Sequence, residues 1–194
     1  MNPIHFLSFL LLGVLLLAPA ALDSFPLVQD QAANVDELAC NLVLSLDQML
    51  AQETGAPPYT FDGSLLNREL EKGYNRMVAA RAKAAEGKTA GALRKLRDAA
   101  RAYETGATAP VSGTGFADDL ANLTSFLGQR FTEQLLNLTP WQNTADYSEA
   151  YVDFDEGVVW RTYPTNEDAA ALDAFSKAAK RAEREFDYTL PVCD

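Results

Sequence analysis

Apolar side chains return at every third or fourth position through most of this chain, in stretches that open at polar capping residues and close at Gly or Pro. That period sets them on one side of an α-helix. It restricts the chain to folds in which each helix buries one stripe against its neighbours. The first stretch, "NVDELACNLVLSLDQMLAQETG", carries Val35, Leu38, Leu42, Leu46 and Met49 on such a stripe. Asn34 and Glu37 have capping-box spacing, in which each side chain serves an orphan backbone N–H. Gly55 and Pro57-Pro58 stop the helix.

The same reading predicts a second helix over Ser64–Glu86, with Leu66, Leu70, Met77 and Ala84 inside and Gly73 and Ala80 admitting a close neighbour. Gly87 separates it from a third helix built on Leu93, Leu96, Ala100 and Tyr103. A fourth is predicted from about Ala117 to Leu138 on Leu120, Leu123, Leu127 and Phe131, ended by Pro140. The last is predicted from near Asn166 to Asp187 on Leu172, Phe175, Ala179, Ala182 and Phe186, with Thr165 and Asp168 as its caps. The expected fold class is mainly α: one helical bundle of roughly five helices.

Between the fourth and last helices stands "YVDFDEGVVW", Tyr151–Trp160. With Asp155-Glu156-Gly157 as a three-residue loop, Phe154 faces Val158 and Val152 faces Trp160. That alternation predicts a short β-hairpin before the last helix. A rival pattern is present, since Tyr147, Tyr151, Phe154 and Val158 also follow helical spacing. Gly157 and the β-branched pair Val158-Val159 weigh against it.

The first residues, "MNPIHFLSFLLLGVLLLAPAAL", have the apolar run and small-residue Ala18-Pro19-Ala20 site of a signal peptide. The expected domains are a leader, 1–20, and a helical bundle, 21–194. The expected localisation is therefore secreted, with no stable membrane span after cleavage. Cleavage would remove His5, the one histidine, and leave the net charge of −11 unchanged. The chain's two cysteines, Cys40 and Cys193, are expected to form a disulfide in an oxidising compartment. Closing so long a loop stabilises a fold by on the order of 5 kcal/mol in the chain-entropy picture.

Charge narrows the choice of partner. Residues 64–103 hold ten of the sixteen Lys and Arg against four acids, so the rest of the chain is strongly acidic. Arg68, Lys72 and Arg76 form one helical stripe, and Arg94, Arg97 and Arg101 form another. These are candidate surfaces for an anionic partner. A pI near 4.5 argues against nucleic acid, whose phosphates an acidic chain repels. In the aromatic stretch, Tyr151, Trp160 and Tyr163 are candidate sugar-stacking residues, with Asp153 or Arg161 to bond hydroxyls. The acids from Asp153 fail the EF-hand pattern, because Gly157 falls at its fifth position and Pro164 at its twelfth.

Catalysis is limited by what is missing. Without a histidine after cleavage there is no Ser–His or Cys–His pair, and a disulfide would remove thiol chemistry. No cofactor motif and no metal-ligand set is read, and no catalytic residue is assigned. Asn122 and Asn137 begin Asn-Leu-Thr sequons, Asn137 at the helix end being the better candidate for glycosylation. The sequence thus points to a secreted, non-enzymatic binding protein with an acidic glycan or another protein as partner. A carrier of a small apolar molecule comes second, and a carboxylate-dependent hydrolase third.

Overall fold

The computed structural model describes residues 35–53, 57–61, 63–137, 144–162 and 167–185. The expected leader, Asn34, Tyr163, Thr165, Phe186 and Cys193 lie outside the described residues. Among those described, six α-helices follow one another: α1 (Val35–Gln48), α2 (Ser64–Ala85), α3 (Thr89–Ala107), α4 (Thr114–Leu136), α5 (Ala145–Arg161) and α6 (Asp168–Glu185). One turn of π-helix, Met49–Glu53, prolongs α1. All six lie within one unit of the chain, residues 32–194. The most extensive pairings are α2 with α3, α5 with α6, and α3 with α6, while α4 packs on both α3 and α6 and α1 on α2 and α4.

The helical periodicity is reproduced closely. Leu38, Leu42 and Leu46 of α1 and Met49 of the π-turn after it are buried, as are Leu66, Leu70, Met77 and Ala84 of α2 and Leu93, Leu96, Ala100 and Tyr103 of α3. Leu120 and Phe131 of α4 are buried while Leu123 and Leu127 are half-buried at its edge. Leu172, Phe175, Ala179 and Ala182 of α6 complete the core. Gly87 ends α2 at φ 74°, a conformation with no Cβ penalty for glycine. Lys88 N donates to Lys83 O at 2.9 Å and Gly87 N to Ala84 O at 2.8 Å, the paired bonds of a Schellman motif. The turn is tight enough that Lys83 and Lys88 reach the same carboxylate oxygen of Glu86, at 2.7 and 2.9 Å.

Helices α3 and α6 run antiparallel, and each caps the other. Glu183, near the end of α6, accepts from Thr89 Oγ1 and from Ala90 N, both at 2.7 Å, at the start of α3. Glu104, near the end of α3, accepts from Ala169 N at 2.8 Å at the start of α6. A carboxylate at a helix N-terminus satisfies orphan N–H groups and complements the helix dipole. Between the two caps Arg97 Nη1 bonds Asp173 Oδ1 at 2.8 Å.

The predicted hairpin does not form. Tyr151–Trp160 lies wholly inside α5, and no strand occurs among the described residues. The rival helical spacing prevails because the helix turns Phe154 and Gly157 onto α6. Thr144 caps α5 by accepting from Tyr147 N at 3.1 Å. Ala150, Phe154 and Gly157 form its buried stripe, and Phe154 packs on Phe175 with ring centroids 5.6 Å apart. Gly157 is needed for space rather than for a turn: a Cβ there would stand 2.4 Å from Phe175 Cε1. Val152 and Val159 are exposed on the outer side, where a β-branched residue costs a helix only about 0.5 kcal/mol.

Gly157→Ala tests this packing. Alanine is the better helix former by about 1 kcal/mol, yet we expect a net loss of about 1–3 kcal/mol from overpacking against Phe175. Urea unfolding followed by helical circular dichroism measures it, and a gain in stability would contradict the close approach of α5 to α6.

Candidate functional site

The basic residues singled out in the sequence separate into structural and free ones. On α2, Arg68 Nε and Lys72 Nζ converge on the two oxygens of Glu69, at 3.2 and 3.0 Å, and Glu69 is itself buried. Arg76 is half-buried and has no ion pair among the described residues. On α3, Arg97 is the pillar: it bonds Asp98 at 2.9 Å as well as Asp173, with a quarter of its side chain exposed. Those bonds hold its pKa above the ordinary arginine value, the hydrogen bond to Asp173 contributing most. Arg94 and Arg101 are exposed on either side of it and carry no ion pair among the described residues.

The two arginines of α3 without an ion pair among the described residues face different surroundings. Arg94 lies in a hollow of about 420 Å³ lined by Lys83, Lys88, Lys95, Arg97, Asp98 and Glu183, which sets five cations against two carboxylates. Glu183 is already engaged at the start of α3. Lys95 has no ion pair among the described residues. Lys83, Lys88 and Lys95 were not singled out from the sequence. The signal was available in Gly87, whose turn folds the end of α2 back beside α3.

Arg101 lies in a larger cleft, about 710 Å³, between α3, α5 and α6. Trp160 forms one wall, half-buried, with its indole N–H donating to Glu156 Oε1 at 3.3 Å. Glu104 and Glu167 stand at the start of α6, and Asp173 and Lys177 lie further along it. Lys177 Nζ is 3.5 Å from Asp173 Oδ2. Burial pushes the Glu104 carboxyl up from its ordinary value, the negative charges of Asp168 and Glu167 add to that, and the Ala169 N–H and Arg101 oppose it. Asp173, though burial opposes it, is held below its ordinary value by its bonds and charges from Arg97 and Lys177.

The other expected sugar-binding residues are not brought to this cleft. Asp153 accepts from Arg181 Nε at 2.7 Å on the α5–α6 seam. Arg181 also binds Glu149, and Arg184 bonds Asp146 at 3.1 Å beside it. Tyr151 packs between Tyr147 and Phe154, 6.2 Å from each ring. Tyr163 lies outside the described residues. Arg161 points to α4, donating to Ser125 Oγ at 3.0 Å, Gln129 Oε1 at 3.0 Å and Asn122 Oδ1 at 3.3 Å, and its guanidinium lies 5.1 Å above the Phe126 ring. The Ser125 hydroxyl in turn donates to buried Asp168. Asp168, expected as a cap for its own helix, therefore fastens α6 to α4. Burial raises its pKa, against the Ser125 bond and the Arg161 charge.

Asn122 and Asn137 are both exposed, Asn137 as the C-cap residue of α4. Cys40 is half-buried on α1, and no cysteine among the described residues is free. No group of three or more His, Cys, Asp or Glu among the described residues is placed to hold a metal ion. No described helix is long and apolar enough to cross a membrane. No protein-family model, curated protein or solved structure matches the chain.

The Glu104 environment has a measurable consequence. Its folded pKa exceeds the unfolded value of about 4.3, so the native state binds more protons than the unfolded chain between those two values. Its contribution to stability therefore falls as pH rises through that window. Glu104→Gln keeps an acceptor for Ala169 N and removes the charge. Relative to the parent, its urea midpoint should improve as pH rises above about 4. A difference that does not change with pH would contradict the assignment.

Proposed function

We propose that the chain is a secreted, non-enzymatic binding protein, closed by a Cys40–Cys193 disulfide, that takes an acidic glycan on the hollow formed by Lys83, Lys88, Arg94 and Lys95. The observation that supports this reading most is a concentration of five cations around one hollow in a chain whose net charge is −11. Arg94 and Lys95 have no ion pair among the described residues, so a sulfate or carboxylate displaces water from them rather than an existing partner. The ends of Lys83 and Lys88, clustered on Glu86, add positive potential without being freely mobile. Export to an oxidising compartment and glycosylation at Asn137, with Asn122 second, belong to the same proposal.

The apolar-ligand carrier has less support, because the clefts named above are rimmed by charged side chains whose desolvation a lipid could not compensate. The hydrolase has one observation on its side, the raised pKa of Glu104 in the larger cleft. That carboxylate is already occupied as the cap of α6. Binding therefore accounts for more of what is seen.

Immobilised heparin and polygalacturonate provide the test. The protein should be retained at low salt and released as the Debye length falls to about 8 Å near physiological ionic strength. Arg94→Ala combined with Lys95→Ala should weaken retention about tenfold or more, about 1.4 kcal/mol, with the unfolding midpoint unchanged. Retention that ignores both salt and this double substitution would overturn the proposal.

A further inference from the structure

Further along α3 from the basic hollow, the cleft around Trp160 differs in every property that selects a ligand. Its volume, about 710 Å³, falls within the range of about 300–1,000 Å³ typical of small-molecule sites. Its charges nearly cancel. Arg97, Arg101 and Lys177 stand against Glu104, Glu156, Glu167 and Asp173, and burial moves Glu104 toward its neutral form. A ligand of strong net charge gains little from such a lining.

An apolar ligand fares worse. It would cover Arg101, which has no ion pair among the described residues, and each polar group it stranded would cost about 1–3 kcal/mol. What the lining asks for is a molecule without net charge that both donates and accepts hydrogen bonds and has one apolar face. A pyranose ring has that chemistry. Its hydroxyls serve carboxylates and guanidinium alike, and its C–H face suits an aromatic platform.

Trp160 is prepared as that platform. Glu156, one turn earlier on the same helix, takes the indole N–H, which fixes the ring while leaving it half-exposed to the cleft. Ala169 and Ala170 line the cleft with short side chains. The Arg97–Asp173 bond holds the far wall in place, so little has to be ordered on binding. We propose that this cleft binds a neutral oligosaccharide, one pyranose stacked on Trp160 and its hydroxyls bonded by Arg101 and the adjoining carboxylates. Arg97 lines both this cleft and the acidic-glycan hollow, whereas Arg101 and Trp160 line the cleft alone and Arg94 and Lys95 the hollow alone.

Calorimetric titration of the full chain with cellotriose, mannotriose, maltotriose and N-acetylchitotriose tests the proposal, with tetralysine as a cationic counter-probe. At least one trisaccharide should bind saturably, with an affinity unchanged when the salt concentration is raised well above physiological. Arg101→Gln should weaken that binding about tenfold, and Trp160→Phe should weaken it further. The Arg101 side chain is exposed and makes no ion pair or hydrogen bond among the described residues, so its substitution leaves the fold intact even if Trp160→Phe is unstable. Arg94→Ala with Lys95→Ala should retain the trisaccharide, which distinguishes this site from the basic hollow. Absence of saturable trisaccharide binding, equal binding by the parent and Arg101→Gln, or saturation by tetralysine alone would each overturn the proposal.

Discussion

The antiparallel seam between α3 and α6 is the contact on which the rest of the structure depends. Both helices present alanines to it and to the layers beside it, Ala92, Ala99 and Ala100 on one and Ala171, Ala178 and Ala182 on the other, all buried. Small side chains let two helices approach closely, but they bury little area each and fix register poorly. Register is supplied by polar contacts along the seam. Glu183 holds the start of α3, Glu104 holds the start of α6, and Arg97 meets Asp173 between them. A slide of one helical turn would break all of these at once and strand a half-buried Glu104 without its N–H partner. Both proposed sites follow from this register, because α3 and α6 contribute residues to each.

Neighbouring helices are keyed to this pair by large side chains seated on glycines. Tyr103 of α3 lies over Gly73 of α2, Leu172 of α6 over Gly128 of α4, and Phe175 of α6 over Gly157 of α5; a Cβ at those glycines would come within 2.1, 2.3 and 2.4 Å of them. Each contact is a knob whose hole exists only because one residue lacks a side chain. Such contacts are intolerant of substitution, since interiors are close-packed and cannot relax a full methyl group away. The same contacts position Trp160. Gly157 brings α5 down onto α6, and Trp160, three residues on, is thereby set at the edge of the cleft rather than in the core.

The sequence disclosed the helices through their buried stripes, because a stripe is a local property of spacing. Leu66, Leu70, Met77, Leu93, Leu96, Leu172 and Phe175 are all legible that way. It misled at Gly157, where a glycine beside two acids and two β-branched residues has the composition of a turn. The deciding partner, Phe175, lies far along the chain, and glycine's lack of a side chain cannot be read from its neighbours. Charge behaved similarly. The enrichment of Lys and Arg over residues 64–103 was plain, but spacing alone could not show that Arg97 meets Asp173, that Arg68 and Lys72 share Glu69, or that Arg161 and Asp153 are committed to α4 and α6. Ion pairs depend on who arrives opposite, which is tertiary information. The cleft was the least legible feature, assembled from α3, α5 and α6 out of residues none of which forms a motif alone.

That division bears on how an acidic chain can keep a basic hollow. Several carboxylates of the described helices are paired locally: Arg181 takes Glu149 and Asp153, Arg184 takes Asp146, and Arg97 takes Asp98 and Asp173. Exposed pairs of this sort are each worth little, about 0–1 kcal/mol, so their role in stability is small. Their role in shaping the field is larger, because the opposite charges of a pair largely cancel at a distance, whereas an unpaired charge acts in full out to about a Debye length. Arg94, Lys95 and Arg101 lie among such pairs without joining them. The same pairing that neutralises Arg97 leaves these three cations without an ion pair among the described residues, Arg94 and Lys95 in the hollow and Arg101 in the cleft, with Arg97 lining both.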